Sequence, residues 1–411
     1  MNTNHFVGID IGTAGVRCVV GMLDENAGNK PSIIGHGSAP SLGLRRGSVV
    51  HVDDVAEAVV QAVTEAERIS GFHIAQATVN VNGAHVSGLN SKGVIAISTA
   101  NREILPEDRY RVEEAATVVQ LPPNREIIQF FAKNYSVDGQ QNIKDPVGMH
   151  GVRLEVDAHI VTAATPNIRS LDMALEKAEI IPTHHTVSSL AATEAVMNRQ
   201  QREAGTLLLD IGAGTTNLIV VEDGEIQYVA VLPIGGMHIT NDLAIGLKTD
   251  LDIAERVKLE HATLETPGKA TATITIDKKT HSFAADDIQM IVEARVDELL
   301  EYVDKELHKI RRSRKLPGGV ILTGGTAKLP GLAEFTREKL QLSARIGKIR
   351  DVGGLVDTVE DPTYATVVGL MLLDMLLLPE HPGAQSTKGA QAGTAVMGMV
   401  ESFMKRLRSN R

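Results

Sequence analysis

Residues 6–23, FVGIDIGTAGVRCVVGML, and residues 206–221, TLLLDIGAGTTNLIVV, share one design: an apolar strand closing on Asp-Ile-Gly, a glycine turn, and a second apolar strand. In the first, the strand Phe6–Ile11 carries Asp10, and the turn Gly12-Thr13-Ala14-Gly15 leads into a strand from Val16 to Leu23. In the second, Thr206–Ile211 carries Asp210, the turn is Gly212-Ala213-Gly214-Thr215-Thr216, and Asn217–Val221 passes through Asp223-Gly224 to a third strand, Ile226–Val231. Asp10 and Asp210 therefore occupy equivalent places. A third glycine turn, Gly324-Gly325, follows the strand Gly319–Thr323 and precedes helical sequence at Leu332–Leu340. An aspartate and a glycine at one strand end are ordinary turn chemistry. Three glycine turns in this order, two of them behind Asp-Ile-Gly, predict two related α/β lobes facing each other across a cleft.

The chemistry of these turns suits a nucleotide. Successive backbone N–H groups in a tight glycine turn form a concave donor array, and glycine lets phosphate approach without a Cβ in the way. Gly12, Thr13, Gly15, Gly212, Gly214 and Thr215 suit that task, and the hydroxyls of Thr13, Thr215 and Thr216 are further donors. A carboxylate beside phosphate repels it, so Asp10 and Asp210 make sense with Mg²⁺ or its waters between them and the ligand. Gly235-Gly236 opens the next helix, and Gly324-Gly325 is placed to let a flat base lie on bare backbone. Glu255 and Lys258 stand three apart on a helical stretch and share a face; alone, this is a solvated ion pair worth ~0.3 kcal/mol. A P-loop is rejected, because the Gly-Lys pairs at Gly268 and Gly347 are preceded five positions earlier by Thr263 and Leu342.

Composition bounds the rest. A chain of 411 residues, 43% hydrophobic, exceeds one core and should divide into domains. A formal charge of -10 argues against nucleic acid as partner, which needs a basic footprint. Cys18 is the only cysteine, which excludes an intramolecular disulfide and paired-cysteine zinc and fits a reducing cytoplasm. The opening MNTNHFVGIDIG has no basic region followed by an apolar run, so no signal peptide or amino-terminal anchor is expected. The longest apolar segment, Val367–Leu378, is broken by Asp374 and stops at Pro379, short of the ~20 residues that span a bilayer. It reads as a buried helix. His184 and His185 are adjacent, point in different directions, and read as structural.

Between the hairpins, residues 79–161 run through short strands and a helix near Pro106–Val119 to Asn134-Tyr135-Ser136-Val137-Asp138-Gly139-Gln140. Asp145-Pro146-Val147-Gly148-Met149-His150-Gly151-Val152-Arg153-Leu154 follows. By itself this dense run of turn residues indicates a loop and a surface strand. The three glycine turns resemble the two phosphate loops and the adenosine loop of the actin superfamily, and the string Tyr-x-Val-Asp-Gly-Gln with Asp-Pro-x-Gly-Met-x-Gly-x-Arg-Leu is similar to the insert subdomain (1C) of the FtsA family. The likeness runs over nearly the whole chain. It implies an α/β, actin-like, ribonuclease H-type duplicated fold whose two lobes flank a nucleotide cleft. Subdomain 1A would take residues 1–83 and 164–195, the 1C insert 84–163, subdomain 2A residues 196–235 and 314–380, and 2B residues 236–313.

The resemblance also implies function: ATP with Mg²⁺ in the cleft, with slight turnover at most and no residue marked as orienting water. It implies self-association into filaments, with the insert contacting the next subunit and later division proteins. In the superfamily, the helix bearing Glu255 and Lys258 gives polar contacts to ribose and adenine. The amphipathic stretch Asp286–Arg312 buries Ile288, Ile291, Val292, Val296, Leu299, Leu300, Val303 and Leu307 and shows a charged stripe on its other face. Such a stripe is usually a solvated face, but the equivalent helix of the family helps receive the FtsZ carboxy-terminal peptide, and Arg295 matches an arginine implicated there, with Tyr302 and Lys305 beside it. Residues 381–395, HPGAQSTKGAQAGTA, read as a mobile linker. From Val396 an amphipathic helix is predicted, with Val396, Met397, Met399, Val400, Phe403, Met404 and Leu407 on one side and Lys405, Arg406, Arg408 and Arg411 among the polar positions. That composition suits the interface of an anionic membrane, and the resemblance implies the cytoplasmic face of the cell membrane at the division site. The alternatives are a PilM-like pilus assembly protein, which resembles the core but lacks the tail, and a small-molecule kinase of the same superfamily, for which no acceptor base stands out.

Overall fold

The computed structural model describes residues 5–24, 30–98, 101–266, 268, 270–276 and 278–377. The proposed linker and membrane segment, Val396 to Arg408 included, lie outside the described residues. Two sheets repeat one topology. In the first lobe, His5–Ile11, Gly15–Asp24 and Lys30–Pro40 form an antiparallel meander, and Gln76–Val81 and Ile181–Val187 extend it in parallel from His5–Ile11. In the second lobe the meander is Thr206–Ile211, Thr216–Glu222 and Glu225–Leu232, extended in parallel by Gly319–Thr323 and Ala344–Ile346. The inner strands are buried on both faces, which explains their continuous apolar runs. Asp223 and Gly224, at φ 56° and 77°, close the second meander with the pair of left-handed residues that a two-residue hairpin turn requires.

Three hydrophobic clusters form the core: one fills the first lobe and takes in Leu208, Ile219 and Ile321 from one face of the second sheet, one fills the second lobe, and the third lies in the insert. The insert is a four-stranded sheet in the order Ser87–Ala96, Arg153–Ala164, Arg125–Val137, Gln140–Ile143, packed through Phe130, Leu154 and Ile160 under the helix Pro106–Thr117. That helix starts with Pro at its first position, and Asp108 accepts the Leu105 N–H at 3.1 Å. The amphipathic helix of the second lobe runs Ala285–Lys309, three residues shorter at its end than expected. Arg311 turns to φ 60° and Arg312 N–H returns to the Leu307 carbonyl at 2.9 Å, a stop that apolar periodicity does not reveal.

The insert also docks on the second lobe. His159, fully buried on its central strand, accepts the Val229 N–H at Nε2 (3.0 Å), and its Nδ1 lies 2.9 Å from Asn90 Oδ1. With Nε2 as acceptor, the proton sits on Nδ1 and the ring is neutral. Burial, with Lys133 adding to it, pushes this imidazole down to about 4. A folded-state value below the ordinary 6.5 means that the unfolded chain binds more protons between the two values. This contribution is therefore fully present above about pH 6.5 and is lost as pH falls toward 4. Between pH 6.5 and 5 it amounts to about 2 kcal/mol. His159→Gln, which keeps an acceptor without titrating, is expected to lose less stability than wild type by that amount in denaturant melts at the two pH values; equal losses would contradict it.

The lobes meet at two crossing helices, Ser188–Val196 and Ala365–Leu377. They approach so closely at Gly369 that a Cβ there would lie 1.7 Å from the Ala191 carbonyl oxygen. Asp374, which interrupts the apolar run, is buried and accepts the Val7 N–H at 3.0 Å and the hydroxyls of Thr78 and Thr183 at 2.7 and 2.9 Å. Among the adjacent histidines, His185 pairs with Asp172 at 2.8 Å, whereas burial holds His184 below its ordinary value near Asp374. No helix among the described residues is long and apolar enough to cross a membrane.

Candidate nucleotide cleft

The two Asp-Ile-Gly turns close in the same way: Gly12 N–H donates to the Gly15 carbonyl at 3.1 Å, and Gly212 N–H donates to the Thr215 carbonyl at 2.9 Å. They face one another across a cavity of about 450 Å³, within the usual range for small-molecule sites. Its wall includes Asp10, Gly12, Thr13 and Gly15 from the first lobe and Asp210, Gly212, Gly214 and Thr215 from the second. Gly236, Glu255, Lys258, Gly324 and Gly325 complete the set that the sequence placed together. The turns nearly touch, since a Cβ on Gly214 would lie 2.8 Å from the Thr13 hydroxyl oxygen.

Two expected residues take other places. Thr216 is fully buried and donates its hydroxyl to the Ile234 carbonyl at 2.8 Å, so it is no phosphate donor. It follows Thr215 at the start of a strand, where successive side chains point to opposite faces. Gly235 lies behind the second turn, where a Cβ would meet the Gly212 and Ala213 carbonyl oxygens at 2.5 and 2.7 Å. Its role is to let the Gly236–Gly246 helix seat against the turn, with Gly236 and Met237 N–H bonded to the Gly212 and Ala213 carbonyls.

The carboxylates are set for a cation. Asp10 accepts the Asn80 amide at 2.8 Å and is pushed up to about 7, first by burial and further by Asp210, with Arg17 opposing. Burial also raises Asp210, against bonds from Asn217 at 3.2 Å and Thr366 at 3.4 Å. Two buried carboxylates at the same cavity are costly as anions, and a hard divalent cation bound by oxygen ligands and water fits that donor set.

Glu255 and Lys258 are not a free ion pair. Lys258 reaches Glu255 at 2.7 Å, the Thr240 hydroxyl at 2.9 Å and the Gly236 carbonyl at 3.3 Å, which fixes both side chains on the cavity wall. Gly324 sits at φ 85°, ψ 175°, a conformation essentially reserved to glycine. A Cβ there would strike Asp210 Oδ1 at 2.5 Å and the Ile211 carbonyl oxygen at 2.6 Å, so the third turn is folded directly onto the second.

The cavity holds residues that the turn pattern does not mark: Arg17, Asn82, Ser188, Asn217, Thr326 and Thr366. Strand register carries a signal for two of them, because Asp10 pairs with Arg17 and Asp210 pairs with Asn217 in the twin hairpins. Away from the cleft, Arg295 is no solvated stripe residue. Its guanidinium forks onto Asp242, with Nη2 to Oδ1 at 3.0 Å, and also bonds Glu298. Lys305 lies 4.7 Å from the centre of the Tyr302 ring, which is exposed.

Comparison with known proteins follows the same lines. The chain is 37% identical over 377 residues to the cell division protein FtsA of Bacillus subtilis (strain 168), spanning 90% of this chain and 84% of that one. The chain belongs to the FtsA family of cell division proteins. The FtsA of Pseudomonas aeruginosa is 34% identical over 371 residues, covering 89% of this chain and 88% of its own. A model of cell division protein FtsA matches residues 207–369, and a model of the SHS2 domain inserted in FtsA matches residues 83–162. The FtsA fold is actin-like: the PilM-PilN type IV pilus biogenesis complex superposes with a TM-score of 0.64 at 19% identity, over 90% of this chain and 98% of that one. The MamK double helical filament superposes with a TM-score of 0.52 at 14% identity, over 91% and 99%. The ADP-bound MreB5 of Spiroplasma citri gives 0.51 at 14%, over 91% and 97%.

Proposed function

We propose that this FtsA-family chain binds ATP with Mg²⁺ in the cleft and works as a self-associating adaptor that tethers FtsZ filaments to the cytoplasmic face of the membrane at the division site, where it also recruits later division proteins. The observation that supports the nucleotide reading most directly is the convergence of three glycine turns and two buried aspartates on one cavity. The backbone N–H groups of the Gly12 and Gly212 turns would hold phosphate, with Thr13, Thr215 and Arg17 as further donors. Asp10 and Asp210 would hold Mg²⁺, which supplies neutralisation of phosphate charge. Gly324-Gly325 would receive the base, and Glu255 and Lys258 the ribose and adenine edge. Co-sedimentation of the full chain with purified FtsZ, anionic vesicles and Mg-ATP tests the whole reading. FtsZ is expected in the vesicle pellet only when the chain is present.

For the FtsZ carboxy-terminal peptide, Arg295, Tyr302 and Lys305 would form the receiving surface. The Asp242 pairing orients the Arg295 guanidinium rather than consuming it, because five N–H donors exceed what two carboxylates occupy. Arg295→Glu is expected to weaken the peptide by about tenfold, the usual cost of one charge-assisted bond. ATP affinity should hold. Unchanged peptide affinity in a titration would reject this surface.

A further inference from the structure

The strand Gln76–Val81 runs beside His5–Ile11 and leads into the root of the insert. Two asparagines at its end reach the cleft. Asn80 accepts the Ile11 N–H at 2.7 Å and donates to Asp10 at 2.8 Å, which fixes the first lobe's carboxylate. Asn82 lines the cavity, and its Oδ1 accepts the hydroxyl of Thr215, from the second lobe, at 3.2 Å. The same oxygen accepts the Gly83 N–H at 2.6 Å. Gly83, at φ 124°, then turns the chain toward the insert, and the Val86 N–H bonds back to its carbonyl at 3.0 Å. Arg125 gathers the neck: Nη2 donates to the His85 carbonyl at 2.9 Å and the Ser87 hydroxyl at 2.6 Å on the outgoing strand, and to the Thr162 carbonyl at 3.0 Å on the returning one. A short bonded path therefore joins the second phosphate turn to both strands that carry the insert.

A threonine hydroxyl has one proton. While Asn82 holds the proton of Thr215, a phosphate oxygen does not. We infer that Asn82 and a nucleotide phosphate compete for the Thr215 hydroxyl, so that Asn82 acts as a positioning residue through which phosphate occupancy releases the root of the insert. This rests on the nucleotide reading above, and it adds how the cleft addresses the insert. It also gives Asn82 a task that its place at a strand end, outside any glycine motif, does not announce.

Hydrogen exchange on the full chain tests it, with and without Mg²⁺ and a non-hydrolysable ATP analogue, and with analogue binding titrated on the same samples. Release of one neutral hydrogen bond corresponds to about fivefold in a local opening equilibrium. In wild type, amides of residues 83–87 are expected to exchange about fivefold faster once the analogue is bound. In Asn82→Ala they should be fast from the start and gain nothing on binding. Asn82→Ser, whose side chain is too short to reach Thr215, should behave alike and serves if the alanine variant does not fold. Wild type that binds the analogue with no change at residues 83–87, or an Asn82→Ser chain that still shows the full response, overturns the coupling alone. Wild type that binds no analogue overturns the nucleotide reading, and the coupling with it.

Discussion

Gly324→Val is expected to lower ATP affinity about a hundredfold, equivalent to nearly 3 kcal/mol. The glycine occupies a backbone region that costs other residues about 1–3 kcal/mol, and it does so where its Cα faces Asp210 and the Ile211 carbonyl at distances no Cβ tolerates. Relief requires the third turn to lift from the second. That movement carries Gly325 away from the base position and shifts a carboxylate assigned to Mg²⁺. The neighbouring position gives the contrast. At Gly325 a Cβ would meet only Thr363 Cγ2, at an ordinary 3.7 Å, so Gly325→Ala should fold normally and lose at most about tenfold. Titration of both variants with ATP and Mg²⁺ checks this, and wild-type affinity in a folded Gly324→Val chain would remove the third turn from the site.

The second large effect concerns the carboxy-terminal segment. Removal of residues 396–411 is expected to abolish sedimentation with anionic vesicles and to leave ATP affinity intact. Seven apolar side chains between Val396 and Leu407 carry about 10 kcal/mol of gross burial, but ordering the segment costs about 1 kcal/mol per residue. Lys405, Arg406, Arg408 and Arg411 each add about 1 kcal/mol beside anionic headgroups. The net for one chain would be small, so firm residence would depend on many linked copies, for which each later contact is effectively intramolecular. Vesicle binding by the full chain should therefore rise steeply with protein concentration. Equal vesicle binding by the truncated chain would exclude the segment as the anchor.

Much of the architecture was legible because strands and glycine turns are local. The Asp10 and Asp210 hairpins announced themselves by composition, and the structure pairs each as the repeat requires. Thr216 departs from the turn pattern for a local reason: adjacent strand residues cannot both face the cleft, and Thr215 already does. Asn80, Asn82 and Thr366 were invisible for a different reason. Each comes to the site from a distant segment through tertiary packing, with no turn or spacing around it that differs from an ordinary strand end or helix start. His159 is the same case at the insert, a polar residue within a strand whose partner, the Val229 amide, belongs to the other lobe. The Arg295 side chain shows a further limit: a helical stripe tells which face it lies on, and not that Asp242 from a neighbouring helix will hold it.

The last described helix, Ala365–Leu377, has an unequal pair of ends. Its first turn touches Asp210 of the second lobe through Thr366, while farther along Asp374 is bonded to three neighbouring strands of the first sheet, and Gly8 and Gly369 leave no slack along its flanks. Such a rod is seated firmly at one end and lightly at the other. A methyl added at Gly369 would drive it off Ala191, a displacement that Asp374 resists and that Thr366, at the lightly held end, would pass on to Asp210.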